Sequence, residues 1–457
     1  MHSNAEAKTP AFGRTAPPQR PSFSTAFRFW LKLGFISFGG PTGQIAIMHT
    51  ELVERRRWIS EARFLHALNF CMLLPGPEAM QLATYVGWLL HGVWGGIVAG
   101  TLFVLPSALI LWVLSYIYVA HGSTPAIAAV FAGLQPAVVA IVAAAVLRIG
   151  SKVLKNPVMW TLAAGSFVAI FFFKAPFPAI VFGAGLIGFI AGMRGSQAFL
   201  VIRGHGDADE TSDENAELQY HPAAYRPPTL GRAALVLLTC CTLWFVPILG
   251  IIAWLGRPST ILDISLFFSK AAMVTFGGAY AVLPYVAQQA VERYGWLSSQ
   301  QMLSGLGLAE STPGPLIMVL QFVGFVAGWR SPGSLSPLVG ATLGAALTTW
   351  VTFVPCFLWI FLGAPYVERL RQVKSLQAAL SAITAAVVGV VLNLAVWFGM
   401  RTFAHGTIWV DWLSQLDWFA LVVATTAFAA LTRWKVDIVP LVVGAATLGL
   451  LRWLSGI

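Results

Sequence analysis

The chain has 457 residues, of which 57% are hydrophobic and 10% are charged, and its net charge is +10. Because a soluble domain carries roughly 25% charged residues, this composition excludes an ordinary soluble protein and predicts an integral membrane protein built of α-helices. Most of the basic residues fall in predicted loops, so the positive-inside bias of membrane proteins explains the charge. Attraction of an anionic substrate is the alternative explanation.

The amino-terminal residues 1–22 are polar and rich in proline, and they lack the apolar core and cleavage site of a signal peptide. We predict a disordered cytoplasmic tail there. Thirteen hydrophobic segments follow, several of them longer than the roughly 20 residues that a helix needs to cross a bilayer. The predicted spans are 25–47, 62–90, 93–120, 126–147, 157–173, 175–193, 233–256, 263–286, 300–329, 333–362, 375–400, 416–432 and 436–454.

The predicted spans divide the chain into two halves. Six spans lie in residues 23–193 and six in residues 257–457. The hydrophilic, acid-rich residues 194–232 predict a cytoplasmic linker between the halves, and residues 233–256 predict one unpaired span.

One motif occurs in both halves, always at an offset of 238 residues. The register is kept over more than forty residues without a gap, so chance does not explain it. Glycine and proline breaks at equivalent places in two hydrophobic halves are typical of secondary transporters. The matched residues are Lys32 with Lys270, Phe38-Gly39-Gly40 with Phe276-Gly277-Gly278, Glu54-Arg55 with Glu292-Arg293, Trp58 with Trp296, and Pro75-Gly76-Pro77 with Pro313-Gly314-Pro315.

The number of spans between the two copies predicts their relative orientation. Seven spans separate the starts of the copies, and an odd number inverts the second copy, so we predict halves related by a pseudo-two-fold axis in the membrane plane. With a cytoplasmic amino terminus, the basic loops at Arg148, Arg369 and Arg433 lie inside, as the positive-inside rule requires. The Arg55-Arg56-Arg57 cluster would lie outside, unless Glu51 and Glu54 offset its charge or the first segment is re-entrant.

The two Pro-Gly-Pro motifs, Pro75-Gly76-Pro77 and Pro313-Gly314-Pro315, lie in the middle of apolar stretches of about thirty residues. Two prolines remove two backbone donors and clash with the preceding turn, so each motif predicts a broken helix. A helix that restarts in the membrane presents its amino terminus, which is a natural anion site. A simple proline kink without a ligand is the alternative, but two breaks at matching positions favour a binding site.

The Phe-Gly-Gly motifs predict a second break in each half, at Gly39 and Gly40 and at Gly277 and Gly278. Close approach of two helices at the glycines is the alternative. Hydroxyl and amide groups around the breaks could bind a substrate; they belong to Ser37, Thr42, Gln44 and Thr275.

Four charged residues near the breaks are further candidates. Lys32 and Lys270 each lie seven residues before the first glycine of a break, on the same helix face, where an ammonium group could approach a bound anion. Snorkelling of these lysines to the membrane interface is the alternative. Glu78 follows the first Pro-Gly-Pro and Glu310 precedes the second; either could carry a proton, or could instead pair with a basic residue for stability.

The Lys-x5-Phe-Gly-Gly-Pro motif, Trp58, Leu74-Pro75-Gly76-Pro77 and Phe-Gly-Gly-Ala-Tyr-Ala-Val-Leu-Pro resemble the chromate ion transporter family, in its long, two-domain form. The resemblance covers residues 22–455 and departs from the pattern at Ala279, where a third glycine is expected. It implies export of chromate across the bacterial inner membrane, driven by protons, with sulfate as the isosteric competitor.

We therefore expect an all-α, multi-pass transporter that exports a tetrahedral dianion by alternating access. A transporter of sulfate or another oxyanion, or an anion channel, is the alternative; an intramembrane enzyme or receptor is disfavoured because no catalytic motif is present. Its expected partners are the anion, protons and the lipid bilayer, with a homo-oligomer left open and no nucleic acid, cofactor or metal. The cysteines are interpreted as small buried hydrophobic residues: Cys71, Cys240, Cys241 and Cys356.

Overall fold

A computed structural model describes residues 20–199, 229–366, 373–403 and 416–456 of the chain. Within these ranges the chain forms sixteen α-helices and no β-strand, which confirms the predicted all-α fold. The predicted tail up to residue 19 and residues 200–228 of the predicted linker lie outside the described residues.

Each of the thirteen predicted segments contains helix. The first half comprises α1 (Phe23–Ile36), α2 (Gly40–His49), α3 (Glu61–Leu73), α4 (Glu78–His121), α5 (Pro125–Val153), α6 (Pro157–Phe171) and α7 (Phe177–Met193). After α8 (Leu230–Leu255), the second half comprises α9 (Thr260–Met273), α10 (Ala279–Gln288), α11 (Ser299–Ser311), α12 (Val319–Arg330), α13 (Pro337–Gly363), α14 (Lys374–Phe403), α15 (Trp418–Thr432) and α16 (Ile438–Leu454). Among the described residues, five helices are long and apolar enough to cross a membrane: α4, α5, α8, α13 and α14.

The segments that contain the Phe-Gly-Gly motifs are helical hairpins rather than straight spans. In the first half, the ring of Phe29 on α1 lies 5.1 Å from the ring of Trp58, beyond the end of α2. A continuous helix would separate these residues by about 40 Å. In the second half, the ring of Phe267 on α9 lies 5.6 Å from that of Trp296. The chain therefore reverses at each Phe-Gly-Gly motif.

The Pro-Gly-Pro motifs form the tips of a second pair of hairpins. The ring of Phe70 on α3 lies 5.6 Å from that of Tyr85 on α4, although the Pro-Gly-Pro break separates them along the chain. In the second half, a Cβ atom at Gly305 on α11 would come within 2.2 Å of the Phe322 ring on α12. Both pairs of helices thus lie side by side, in close contact.

A further reversal occurs inside α4. His91 and Gly92 have non-helical dihedral angles, which divide α4 into an arm of residues 78–90 and an arm of residues 93–121. The two arms approach so closely that a Cβ atom at Gly87 would lie 2.4 Å from the carbonyl oxygen of Gly95. Only the second arm, with its 29 residues, is long enough to cross a bilayer.

The hairpins change the predicted membrane path. The predicted spans 25–47, 62–90, 263–286 and 300–329 each return to the side on which they begin. Between the two copies this leaves three helices long enough to cross, α4, α5 and α8, and the shorter pair α6 and α7, instead of seven predicted spans. The number of crossings is odd with the pair α6 and α7 and without it, so the path agrees with the predicted inversion of the second copy.

The hairpins also correct the position predicted for the Arg55-Arg56-Arg57 cluster. Because the first segment is re-entrant, the cluster lies on the side of the amino terminus. Glu51 forms ion pairs with Arg55 at 2.8 Å and with Arg56 at 3.2 Å. Burial raises the pKa of the Glu51 carboxyl, but the hydrogen bonds from Arg56 and Arg55 outweigh it and hold the pKa below its ordinary value. The first segment is therefore re-entrant and Glu51 offsets the charge of the cluster, whereas Glu54 contacts His49 at 3.2 Å instead of an arginine.

The duplication extends to irregular details of the backbone. A π-helical turn follows α2 at Thr50–Arg55 and α10 at Gln289–Arg293. After each π-helical turn comes the tryptophan of the repeated motif, Trp58 or Trp296. Its backbone amide donates to the carbonyl oxygen six residues earlier, over 2.8 Å in both halves. The two motif copies therefore adopt the same local structure.

The two halves exchange their packing partners. The long helix α5 of the first half packs against α15 and α16 of the second, while α14 of the second half packs against α6 and α7 of the first. Glycines allow both contacts: a Cβ atom at Gly133 on α5 would meet the carbonyl oxygen of Ala445 at 2.3 Å, and one at Gly188 on α7 would meet that of Ala378 at 2.4 Å. Equivalent exchanged contacts are the signature of a two-fold relation.

This membrane path makes a prediction about sidedness. Arg55 and Arg293 are equivalent and exposed, so single cysteines at these positions, in a protein without its native cysteines, should react with an impermeant maleimide from opposite sides of the membrane. An amino-terminal tag should share the side of Arg55. Labelling of both cysteines from one side would contradict the inversion, and a tag on the side opposite Arg55 would contradict the first hairpin.

Candidate functional site at the helix breaks

All four predicted helix breaks are present. At the Phe-Gly-Gly motifs, α1 ends at Ile36 before α2 begins at Gly40, and α9 ends at Met273 before α10 begins at Ala279. At the Pro-Gly-Pro motifs, α3 and α11 end before the break and a helical turn begins again after it. The central glycines of these motifs, Gly76 and Gly314, have φ angles of 128° and 101°, which residues with a side chain rarely adopt.

Each Pro-Gly-Pro tip is hydrogen-bonded to the Phe-Gly-Gly break of the other half. The amide of Gly76 donates to the carbonyl oxygen of Thr275 over 2.7 Å, and the amide of Gly314 donates to that of Ser37 over 2.8 Å. The donors are equivalent residues of the repeat, and so are the acceptors. The four breaks therefore meet in one place, around the two-fold relation between the halves.

The meeting point lies against the interior of two long apolar helices, α4 and α13. A Cβ atom at Gly314 would lie 2.6 Å from the Cβ atom of Ser107, which is at the middle of the crossing arm of α4. On the other side, a Cβ atom at Gly76 would lie 2.8 Å from the Sγ atom of Cys356 on α13. Ser107 and Cys356 each follow a proline inside their helix. The small side chains leave room for the tips of the hairpins.

Two amide side chains line the first half of the site. Gln44 is buried, and its Nε2 atom donates to the carbonyl oxygens of Gly314 over 2.5 Å and of Ser37 over 3.4 Å. The Nε2 atom of Gln81 donates to the carbonyl oxygen of Pro75 over 2.8 Å, while its buried Oε1 atom has no partner among the described residues. The equivalent residues of the second half are Val282 and Val319, so the site is not symmetric in chemistry.

The predicted hydroxyl groups are placed differently. The hydroxyls of Ser37 and Thr275 are buried and donate to carbonyl oxygens of their own helices, at Leu33 and Ala271, over 2.6 Å each. Their backbone carbonyls, rather than their hydroxyls, join the two halves. Thr42 is exposed at the start of α2.

Both predicted carboxyl groups lie at the second Phe-Gly-Gly break. Glu310 is 5% exposed, and its Oε1 atom accepts a hydrogen bond of 2.6 Å from the hydroxyl of Tyr280, two residues after the break. Glu78 belongs to the other half, yet its Oε1 atom lies 3.7 Å from the position that a Cβ atom at Gly278 would take. The two glutamates thus reach the same break from different halves.

Two exposed basic residues near the end of α5 are close enough to act on the carboxyl groups electrostatically. Lys152 acts electrostatically on Glu78, and Arg148 acts on Glu310 and Tyr280. Sequence reasoning assigned no role to Tyr280, although a phenol directly after a helix break was a visible signal. Its partner lies thirty residues further along the chain, and the motif alone does not reveal that contact.

Lys32 and Lys270 are not brought to the breaks by a described contact. Both side chains are exposed, Lys32 beside Leu31 on α1 and Lys270 beside Leu266 and Met273 on α9. Neither forms a hydrogen bond or an ion pair with another described residue. Their predicted role as charges for a bound anion stays a prediction.

The described residues include no cluster of three or more histidine, cysteine or acidic side chains that could hold a metal ion. In these ranges three of the four cysteines, Cys71, Cys240 and Cys356, are buried, and Cys241 is half-buried. All four are free thiols.

Comparison with known proteins identifies relatives over nearly the whole chain. The family model described as Chromate transporter matches residues 24–189 and 262–450, so one match falls in each half. A chromate transport protein of Pseudomonas aeruginosa is 31% identical over 438 residues, covering 92% of this chain and 94% of the relative. A chromate transport protein of Cupriavidus metallidurans is 25% identical over 455 residues, covering 99% of each chain.

A probable chromate transport protein of Synechococcus elongatus is 26% identical over 378 residues, covering 82% of this chain and 84% of the relative. No solved structure matches the chain significantly.

The geometry of the tips predicts the effect of a minimal substitution. In Gly314→Ala, the new Cβ atom meets Ser107 at 2.6 Å and the residue keeps a φ of 101°, so the free energy of unfolding should fall by about 1–3 kcal/mol. Gly444→Ala is the control, because no atom lies within 4 Å of its Cβ position, and it should change stability by less than about 0.5 kcal/mol. Unfolding of the purified proteins in detergent measures both. Equal free energies of unfolding for Gly314→Ala and Gly444→Ala would contradict the close contact between Gly314 and Ser107.

Proposed function

Because the chain belongs to the chromate transporter family, we propose that it is a secondary active transporter that exports chromate by proton-coupled alternating access. It is a multi-pass membrane protein, and we place it in a bacterial inner membrane with a cytoplasmic amino terminus. One observation carries the mechanism: four helix breaks, two from each half, meet beside the long apolar helices and are joined by reciprocal hydrogen bonds.

The helix ends at the breaks support binding of an anion. The helices α2, α4 and α10 all begin there, so their amide groups and the positive ends of their dipoles face the centre. The dipole of each helix can stabilise a partly buried anion by up to about 2 kcal/mol. The carbonyl-bearing ends of the preceding helices are occupied, because Ser37 and Thr275 accept hydrogen bonds from the opposite tips. The backbone at the breaks would therefore offer a dianion such as chromate donors rather than acceptors.

The proposed substrate site consists of the residues that form or flank these breaks. Its backbone is that of Gly39, Gly40, Pro75, Gly76, Pro77, Gly277, Gly278, Pro313, Gly314 and Pro315, and its side chains are those of Ser37, Thr42, Gln44 and Thr275. Lys32 and Lys270 are proposed to supply positive charge. Normal chromate transport by Lys32→Ala and Lys270→Ala variants would remove that role.

The two-fold relation supports alternating access. If one half can tilt its hairpins away from the centre, the other half can make the equivalent movement towards the opposite side, because the halves share local structure and exchanged contacts. Opening on either side would break one of two equivalent hydrogen bonds, from Gly76 to Thr275 or from Gly314 to Ser37. Such symmetry between inward and outward states is the usual basis of transport by inverted repeats.

Expression of the chain in a chromate-sensitive bacterium without its own exporter tests the substrate and the direction. We expect lower accumulation of labelled chromate than in cells that carry the empty expression vector. Unchanged accumulation would contradict chromate export. In proteoliposomes, competition by sulfate would identify a general oxyanion transporter. A chromate flux that is the same with and without an imposed pH gradient would indicate a channel.

Glu78 and Glu310 are proposed to carry the coupled protons. A glutamine at either position keeps the shape of the side chain but binds no proton, so Glu78→Gln and Glu310→Gln should reduce gradient-driven chromate flux at least tenfold. Chromate exchange between equal concentrations, which needs no net proton transfer, should be affected less. Flux in proteoliposomes measures both. Gradient-driven flux at the native rate in both variants would contradict the proton role; Glu61→Gln, on the exposed start of α3, is the control.

A further inference from the structure

The contact between Tyr280 and Glu310 joins two hairpins of the same half. Tyr280 lies at the start of α10, just after the Phe-Gly-Gly break, and Glu310 lies at the end of α11, just before the Pro-Gly-Pro break. Their hydrogen bond of 2.6 Å is buried. It is therefore a side-chain connection between the two breaks of the second half.

Among the described residues, the equivalent positions of the first half form no such connection. The residues equivalent to Tyr280 and Glu310 are Thr42 and Met72, which cannot form a bond between a phenol and a carboxylate. The backbone hydrogen bonds at the centre, in contrast, are present in both halves. The bond between Tyr280 and Glu310 thus breaks the symmetry between the halves. It lies at the second Phe-Gly-Gly break, where both glutamates are found.

We propose that Tyr280 is a positioning residue for the coupled proton: it holds Glu310 at the second break and makes the contact between the two hairpins depend on protonation of that carboxyl. The proposal rests on the proton role of Glu310 in the proposed function. The phenol donates to Glu310, and a hydrogen bond to a charged acceptor is stronger than one to a neutral group. Protonation of Glu310 therefore weakens the link between the hairpins.

The surroundings of Glu310 leave Tyr280 as its direct partner. Arg148 on α5 acts on the carboxyl electrostatically, and Glu78 on α4 lies at the same break. Tyr118 on α4 is directed to Ser304, nearly two turns before Glu310 on α11. The other ionisable groups of the described elements that pack on α11 are Tyr85, His91, Tyr116 and His121 on α4, Lys152 on α5, Arg330 on α12, Lys374 and Arg401 on α14, and Arg452 on α16.

The experiment compares pH profiles of chromate transport by the full-length protein in proteoliposomes. Loss of the phenol in Tyr280→Phe removes a donor that favours ionised Glu310, so the pH at half-maximal rate should rise by about one unit, a tenfold change in proton affinity. Tyr285→Phe, on the same helix and stacked on Phe177, is the matched control and should keep the native profile. In the Glu310→Gln background, Tyr280→Phe should cause no further shift.

The outcomes separate the inference from the proposed function. A native profile in Tyr280→Phe, together with an altered profile in Glu310→Gln, overturns the role of Tyr280 and leaves the proton role of Glu310 intact. A native profile in Glu310→Gln overturns both.

Two further measurements keep the test valid if the variant is impaired. If Tyr280→Phe folds but does not transport, infrared titration of the carbonyl band that Glu310→Gln removes should show the same shift. If it does not fold, protein made with 3-fluorotyrosine, whose hydroxyl is a stronger donor, should show the opposite shift of that band. An unshifted band in either measurement overturns the inference.

Discussion

The backbone of a broken helix must find hydrogen-bond partners where no bulk water is available, and the rest of this structure depends on that requirement. Unpaired amides and carbonyls at membrane depth cost several kcal/mol each. Here the amide at each Pro-Gly-Pro tip is paired with the carbonyl before the opposite Phe-Gly-Gly break, over 2.7 and 2.8 Å. Neither half can satisfy its breaks alone. The duplicated chain is therefore one folding unit, in which each half completes the other.

This constraint explains which features are kept in register between the halves and which are free to differ. The spacing from Phe-Gly-Gly to Pro-Gly-Pro sets the lengths of two hairpins whose tips must meet, so one residue more or less would misplace a hydrogen bond. The long helices tolerate more variation, because they need only a small residue at the point of contact. Ser107 serves at one tip and Cys356 at the other, and the offset between them is 249 residues instead of 238.

The sequence revealed the breaks but not the direction of the chain after them. Glycine and proline disrupt a helix by local sterics, and local sterics can be inferred from residue types. Whether the chain then continues or reverses depends on contacts such as that between Phe29 and Trp58, which are tertiary. The number of membrane crossings between the two copies is consequently lower than the sequence predicts. It stays odd, because the hairpins occur in pairs. The same limit hid the bond from Tyr280 to Glu310, since each residue alone has an ordinary interpretation.

The unequal chemistry of the two breaks bears on how a proton and an anion could be exchanged. The amide side chain of Gln44 lies at the first Phe-Gly-Gly break, and the carboxyl groups of Glu78 and Glu310 lie at the second. An ionised carboxylate repels a dianion, so at a shared site protonation and anion binding would assist each other, and by linkage each would raise the affinity for the other. Such cooperation suits transport of both in one direction. Export against an inward proton flow instead requires that the anion and the proton bind in different conformations. The two Phe-Gly-Gly breaks carry different side chains and are closed by separate hydrogen bonds. They could therefore bind the two ligands separately, which a symmetric site could not do.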